Sequence, residues 1–200
     1  MLVRRLVQLY AGLVLYGVSA SMILLSGLGN DPWDVLHQGL SRQTGIGTGT
    51  WVSIVGVIVL LGWIPLRQRP GLGTVSNVVV LGVVVELMLA AFGPAHGLAL
   101  RIVLMLAGIG LNGVAIGLYI GARFGPGPRD GLMTGIAARG HLLRAVRTGI
   151  EITVLVLGAA LGGTVGVGTL LYAVAIGPLA HVFIPLLEIE PRPRLQPQPA

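Results

Sequence analysis

The ionisable residues of this chain are few, and four of them stand out, two in repeated short segments and two in apolar runs. Asp34 and Asp130 each occupy the third helical position of a short proline-headed segment, in GNDPWDVLHQG and GPGPRDGLMTG. Glu86 lies inside VVVLGVVVELMLAAF, and His181 lies deep in another apolar run. Carboxylates and imidazoles in such surroundings can bind a cation, hold a polar solute or pass a proton. These four residues are therefore candidate ligands of a small polar or cationic solute.

Each of the four also has a structural interpretation. A carboxylate in the first turn of a helix satisfies free N–H groups and the helix dipole, worth about 0.3–1 kcal/mol when exposed. Asp34 and Asp130 therefore either stabilise their own helices or face a central cavity. An unpaired carboxylate at the middle of a bilayer costs about 2.5–3.5 kcal/mol. Glu86 must accordingly be protonated, paired or facing water, and an interhelical hydrogen bond is the alternative to function for Glu86 and His181.

Four further polar residues complete the predicted solute site. Arg147 and Glu151 are four residues apart, so they share a helix face and can pair. Their pair either fixes the depth of a helix end or forms an entrance that binds an anionic group. Asn77 and Asn112 either line a cavity or bond a neighbouring helix, a contact worth about 0.6 kcal/mol.

Other kinds of chemistry find no support in the sequence. Cysteine is absent, which excludes disulfides, thiolate metal sites and a cysteine nucleophile. The histidines are far apart and predict no metal site. The run GIGTGT lacks the lysine and the strand–helix setting of a phosphate-binding loop. We therefore expect neither an enzyme nor a cofactor.

Composition indicates an integral membrane protein. Hydrophobic residues make up 54% of the chain and charged residues only 10%, with mean hydropathy +0.89. A soluble domain carries about 25% charged residues, so this chain cannot cover a globule with polar surface. The net charge of +6 would suggest nucleic acid in a soluble protein. Here the arginines stand at the ends of apolar runs, which predicts a lipid bilayer as the partner and no nucleic acid.

Six segments have the roughly 17–25 apolar residues that a spanning helix needs. They are residues 6–28, 51–66, 75–92, 98–121, 146–163 and 169–187. Two further segments, 32–43 and 128–140, are too short and too polar to be secure spans, and eight crossings result only if both traverse. Asp31 can cap the first of these helices with Pro32 at its first position. Both segments are expected to be interfacial or re-entrant helices.

The arginines predict the orientation. With six spans and a cytoplasmic N-terminus, eleven of the thirteen arginines lie on the inside. This distribution follows the positive-inside rule, so both termini are expected in the cytoplasm of a bacterial cell, with the protein in its inner membrane. Residues 1–187 form one predicted transmembrane domain, and the proline-rich residues 188–200 form a predicted disordered cytoplasmic tail.

An internal duplication organises the chain. The two proline-headed segments match at a spacing of 96 residues, and GLGT at 71–74 matches GVGT at 166–169 at a spacing of 95. The repeats are predicted at about 6–92 and 98–187. Three spans per repeat is an odd number, so the second repeat is expected upside down relative to the first. Inverted repeats are the plan of many secondary transporters, whose sites lie where broken helices meet.

The motifs G-x-x-P-x-D-x-L-x-x-G and G-x-G-T resemble those of the YczE/YitT-like family of bacterial integral membrane proteins. The resemblance runs from about residue 6 to residue 183 and implies a multi-pass bacterial inner-membrane protein. The copies differ, because the first has Asp31 as an extra acid and reads Trp33 where the second reads Arg129. We therefore do not expect a symmetric site.

These observations predict an all-α membrane protein that acts as a small secondary transporter or permease for a small polar or cationic solute. The rival is a non-transporting component, either an accessory protein or a substrate-binding subunit of a larger transporter. In size the chain resembles the capture subunits of energy-coupling-factor vitamin transporters. A homodimer or a partner membrane subunit fits either hypothesis.

Overall fold

The computed structural model describes residues 1–189, and every regular element within them is an α-helix. The helices are α1 (Leu2–Ser26), α2 (Pro32–Thr44), α3 (Thr48–Leu61), α4 (Trp63–Leu66), α5 (Leu72–Ala91), α6 (Leu98–Gly121), α7 (Pro128–Ala137), α8 (Leu143–Ala160) and α9 (Val167–Leu187). The predicted all-α fold is confirmed. Both short segments are helices headed by proline, and Asp31 caps the first of them as expected.

Among the described residues, five helical stretches are long and apolar enough to cross a bilayer. They are Leu2–Ser26, Thr48–Leu66, Leu72–Ala91, Leu98–Gly121 and Val167–Leu187. The stretch from Thr48 to Leu66 combines α3 with α4. The predicted span 146–163 corresponds to α8, which is not among the five because Arg144, Arg147 and Glu151 lie within its 18 residues.

Helices α1 and α6 run antiparallel through the centre of the bundle. Arg5 near the start of α1 donates from Nε to the carbonyl of Ala122 after α6, at 3.0 Å. At the other end, Arg101 near the start of α6 donates from Nε to the carbonyl of Ser26, at 2.6 Å. The bundle therefore has two distinct ends, one at the close of α1 and one at the close of α6.

Glycines allow α1 and α6 to approach closely. A Cβ on Gly12 would lie 2.7 Å from the Tyr119 backbone nitrogen, and one on Gly108 would lie 2.8 Å from Cγ1 of Ile23. Both distances are shorter than carbon–carbon or carbon–nitrogen contact permits. The apolar core around this contact includes Leu9 and Leu13, both fully buried.

The two glycine motifs contact the opposite repeat. The N–H of Gly73 donates to the carbonyl of Phe124, which precedes the second proline-headed segment, at 2.9 Å. The N–H of Gly168 donates to the carbonyl of Leu28, which precedes the first, also at 2.9 Å. Residues that match in the sequence thus make matching contacts, each between one repeat and the other.

Helices α2 and α7 belong to opposite ends of the bundle. The turn at residues 161–168 contacts the chain twice, once just before α2 begins and once at the last turn of α2. At the last turn, Gln43 donates to the carbonyl of Leu161 at 3.0 Å. Helix α7 is flanked in the same way by the turn at 65–73, where Arg139 donates to the carbonyl of Pro65. Each short helix therefore starts inside the bundle. It then runs back to the same end of the bundle from which the chain came in.

The first two residues of the predicted tail contact the end of α6. Glu188 forms an ion pair with Arg123 at 2.7 Å, and the Ile189 N–H donates to the carbonyl of Gly121. These contacts hold residues 188 and 189 against the end of α6. The rest of the predicted tail, residues 190–200, lies outside the described residues. Gln8 of α1 also donates to the carbonyl of Leu187, so the start of α1 and the end of α9 lie side by side.

Candidate functional site

The first turns of α2 and α7 meet inside the bundle. The Arg129 guanidinium of α7 lies over the Trp33 ring of α2, with its central carbon 4.9 Å from the ring centroid. Trp33 is buried, and its backbone N–H donates to Oδ1 of Asp31 at 2.8 Å. The same oxygen accepts the N–H of Asp34 at 3.2 Å, so the Asp31 cap fixes the first turn of α2.

Two carboxylates face this arginine. Nη1 of Arg129 lies 3.7 Å from Oδ1 of Asp31, and Nη2 lies 3.8 Å from Oδ1 of Asp34. Both distances allow charge attraction but exceed a direct hydrogen bond. Asp34 also contacts His37 one turn along α2, with Oδ1 and Nδ1 3.0 Å apart. One half-buried cation is therefore shared between two buried carboxylates, one of which is paired with an imidazole.

A cavity of about 230 Å³ adjoins this cluster. Its polar and aromatic lining comes from α1, α6, α7, α8 and α9 and from the start of α2: Tyr16, Asp31, Trp33, Tyr119, Arg129, Asp130, Arg147, Glu151 and Tyr172. Apolar residues of α9, including Ile176 and Ile184, form much of the remaining wall. The cavity is large enough for a small organic molecule and combines charged groups with aromatic faces.

Acidic groups outnumber basic ones around the cavity. Asp31, Asp130 and Glu151 contribute three carboxyl groups, against two guanidinium groups from Arg129 and Arg147. Arg147 donates from Nε to Oε1 of Glu151 at 2.8 Å, so the predicted pair forms and stands at the cavity wall. This balance favours a positively charged solute.

Hydrogen bonds orient two of the lining side chains. The Tyr119 hydroxyl donates to Oδ2 of Asp130 at 3.0 Å. The Tyr172 hydroxyl donates to Oδ1 of Asn112 at 3.0 Å, and Asn112 in turn donates to the Ser19 hydroxyl at 2.8 Å. Asn112 is buried and does not line the cavity, so its position supports Tyr172.

The two repeats differ beside the cavity. In the first repeat α3 packs along α5, and a Cβ on Gly82 would collide with the side chain of Ser53. The Ser53 hydroxyl donates to the carbonyl of Val78, closing that interface. In the second repeat α8 and α9 have no comparable contact. Gly177 matches Gly82 at the 95-residue spacing and lines the cavity. A Cβ on Gly177 would lie in open space.

A much smaller cavity, of about 20 Å³, lies on the other side of Trp33 and Arg129. His37 and Asn77 both line it, together with apolar residues of α3 and α5. Asn77 therefore faces this smaller space and not the larger cavity.

Glu86 and His181 do not belong to the site, contrary to the sequence-based expectation. Oε2 of Glu86 accepts the backbone N–H of Thr50 at 3.0 Å, so the carboxylate stabilises the first turn of α3. His181 is exposed on α9, because α9 turns a different face, with Gly177 and Ile184, towards the cavity. Glu86 and His181 match at the spacing of 95 residues, but each lies on a helix face that does not line the cavity.

The structure brings together Asp34, Asp130, Arg147 and Glu151 from the predicted set. Sequence reasoning did not assign Asp31, Trp33 and Arg129 to the site. One signal for them was present, since these residues are where the two copies of the motif differ. The aromatic lining by Tyr16 and Tyr172 had no signal, because a tyrosine in an apolar helix is equally a core residue.

Comparisons match the chain to a family of unknown function and to uncharacterised relatives, one of which is named a membrane protein. Residues 3–185 match the model of a family described as "Family of unknown function (DUF6198)". An "Uncharacterized protein" of Haemophilus influenzae is 40% identical over 176 residues, covering 88% of this chain and 81% of the relative. The "Uncharacterized membrane protein YczE" of Bacillus subtilis is 32% identical over 191 residues, covering 92% and 87%. The "Uncharacterized protein YyaS" of the same organism is 29% identical over 184 residues, covering 88% and 90%. No solved structure matches the chain.

Proposed function

We propose that this protein is a small secondary transporter that carries an organic cation across the bilayer. The chain belongs to the Family of unknown function (DUF6198). Because the description of that family names no activity, the proposal rests on the site. It is a membrane protein with several apolar helices, and the resemblance to YczE-like proteins is confirmed. The observation that carries the proposal is the meeting of two short helices, from opposite ends of the bundle, beside an acidic, aromatic-lined cavity.

The matching contacts of the two halves support an inverted repeat. In each repeat, the start of a long helix donates a hydrogen bond to the loop that precedes the short helix of the other repeat. Gly73 donates to Phe124 in one case, and Gly168 donates to Leu28 in the other. Since α1 and α6 run antiparallel, these two contacts lie at opposite ends. An inverted pair of three-helix units places a site near the middle of the membrane, where interrupted backbone lines a cavity. The start of α1 and the end of α9 lie side by side, which supports both termini on one side of the membrane. The arginine distribution favours the cytoplasm as that side.

The lining selects the chemical class of solute. Excess carboxyl groups attract positive charge, and the aromatic rings of Tyr16 and Tyr172 suit a cation, with each contact worth about 0.5–2 kcal/mol. Arg129 already satisfies part of the negative charge, so one further cation brings the site close to neutrality. An alkylammonium or guanidinium compound fits this combination better than a bare metal ion, because aromatic faces favour weakly hydrated cations.

The difference between the repeats supports alternating access. The α3–α5 interface is closed at Gly82, whereas the equivalent place between α8 and α9 is open at Gly177. In an inverted repeat, exchanging these two arrangements would open the cavity towards the opposite side. In this mechanism, one half of the protein rocks against the other around the point where α2 and α7 meet. The solute site stays in place and opens first to one side of the membrane and then to the other.

The test is uptake by proteoliposomes of labelled choline, guanidinium, ethanolamine and lysine, with glutamate as the anionic comparison and glucose as the uncharged one. We expect at least one of the four cations to enter, and we expect Asp130→Asn and Glu151→Gln to lower its uptake about tenfold or more, since a charge-assisted contact is worth about 1.5–3 kcal/mol. Glu86→Gln is the matched control, because that carboxylate lies outside the cavity. If no solute enters, and Asp34→Asn combined with Asp130→Asn leaves cellular function intact, the proposal fails.

A further inference from the structure

Building on the transport function proposed above, we propose that the Asp34–His37 pair is a proton site, and that the protein exchanges one proton for one cation. The pair lies next to the solute cavity but faces the second, smaller cavity. Nothing in the solute-binding role requires a buried imidazole at this position.

The geometry of the pair suits proton binding. Nδ1 of His37 lies 3.0 Å from Oδ1 of Asp34, and both side chains are nearly inaccessible, at 1% and 6% exposure. With its proton on Nδ1 donated to the carboxylate, the imidazole presents a bare Nε2. That atom is buried, and among the described residues it has no hydrogen-bond partner. Burial opposes the charged imidazolium, so Nε2 can accept a proton only because the Asp34 carboxylate stands 3.0 Å from the other ring nitrogen.

A position for a water molecule is present beside the imidazole. The cavity of about 20 Å³ that His37 lines is large enough for one water molecule. Asn77 and the start of α7 at Pro128 line the same space, so a water there has polar neighbours besides the imidazole. The proton passes from water to Nε2, giving an imidazolium held by the Asp34 carboxylate, and returns by the same path.

The charges that face His37 decide the sign of the coupling. Asp34 and Asp31 on its own side favour the protonated form, and Arg129 from α7 opposes it. The elements packed on α2 add little: α3 has no titratable residue, α5 presents the neutral Asn77, and Tyr16 of α1 lies beside Asp31. Arg147 and Glu151 of α8 face the larger cavity and form a neutral pair.

A cation in the larger cavity and a proton on His37 compete for the same carboxylates. Asp31 lines the cavity and lies with Asp34 around Arg129, so a bound cation adds positive charge to the cluster that holds the imidazolium. Binding of the cation therefore expels the proton, and binding of the proton expels the cation. Competition of this kind produces exchange transport.

The proton site is tested without any solute. Histidine labelled with ¹⁵N in the detergent-solubilised protein gives the titration of each imidazole, and His37→Gln assigns the His37 signal. We expect His37 to take up a proton as the pH falls, with at least tenfold lower proton affinity in Asp34→Asn and at least tenfold higher affinity in Arg129→Gln. His96→Gln, at an exposed position, is the matched control and should leave the His37 titration unchanged. A His37 signal that does not titrate, or that is unchanged in Asp34→Asn, overturns the proton site.

The coupling is tested with the cation that the uptake panel identifies. An acidic interior should drive accumulation of that cation in wild-type proteoliposomes, whereas His37→Gln should retain cation-for-cation exchange and lose the response to the pH gradient. His96→Gln should behave as wild type. Uptake that ignores the gradient in the wild type overturns the coupling and leaves the transport function standing. Absence of any uptake overturns the transport function, and the NMR titration still decides the proton site.

Discussion

Arg129 and Trp33 occupy the same position in the two copies of the duplicated motif, and they contact each other, with the guanidinium carbon 4.9 Å from the indole centroid. Two identical residues at this point would place either two cations or two indoles against each other. A cation above an aromatic face is attractive instead. This difference between the copies thus lies where their short helices meet, and it makes the centre of the molecule asymmetric.

Arg129→Gln should destabilise the protein by about 3–5 kcal/mol, because it leaves two buried carboxylates without their shared cation. Thermal unfolding of the purified protein in detergent measures the change. Arg144→Gln on α8 is the matched control, since that residue is exposed and its replacement should change stability by about 0.5 kcal/mol or less. Equal effects of the two substitutions would contradict the central role of Arg129.

Gly29→Ala should prevent correct packing of the loop before α2. Gly29 has φ of +118°, and a Cβ there would lie 2.6 Å from the Gly166 nitrogen and 2.7 Å from the Thr169 hydroxyl. Backbone strain alone contributes about 1–3 kcal/mol, and the collision adds to it. The measurement is the yield of monodisperse protein together with its unfolding temperature. Gly93→Ala, at a position with open space, should behave as wild type, and wild-type behaviour of Gly29→Ala would refute the close approach.

Gly177→Leu should leave the fold intact and stop transport. Open space surrounds Gly177 in this arrangement, and leucine is a better helix former than glycine by about 1 kcal/mol, so stability should not fall. In the proposed alternate arrangement α8 would close on α9, as α3 does on α5, and a leucine would block that closure. Uptake at equal protein density measures the effect. Gly110→Leu on α6, also in open space, is the control, and normal uptake by Gly177→Leu would argue against the exchange of arrangements.

Glu86 should prove structural. Glu86→Ala removes the acceptor for the Thr50 N–H at the start of α3, so we expect a loss of about 1 kcal/mol, as for a helix cap. Uptake should be unchanged, because the carboxylate lies outside the cavity. The control is Glu151→Gln, which should lower uptake and barely alter the unfolding temperature. If Glu86→Ala lowers uptake without affecting stability, the assignment of Glu86 to helix capping is wrong.

The sequence alone determined the helices, because hydrophobic length and glycine or proline boundaries act locally. The segment 98–121 was predicted with its observed bounds, and the starts of α2 and α7 were given by Pro32 and Pro128. The internal repeat was also legible, since duplication leaves matching residues at a constant spacing. The Asp31 cap followed from its position directly before a proline-headed helix.

Only the tertiary structure decided which polar residues meet. Glu86 and His181 had the same apolar surroundings in sequence as a buried site residue, but helix rotation turns one towards the start of α3 and the other outwards. Arg129 and His37 gained their importance from neighbours on other helices or on the next turn. Hydropathy reports that a segment is buried in protein or lipid, whereas the composition of a site depends on which faces of different helices converge, and no local pattern records that.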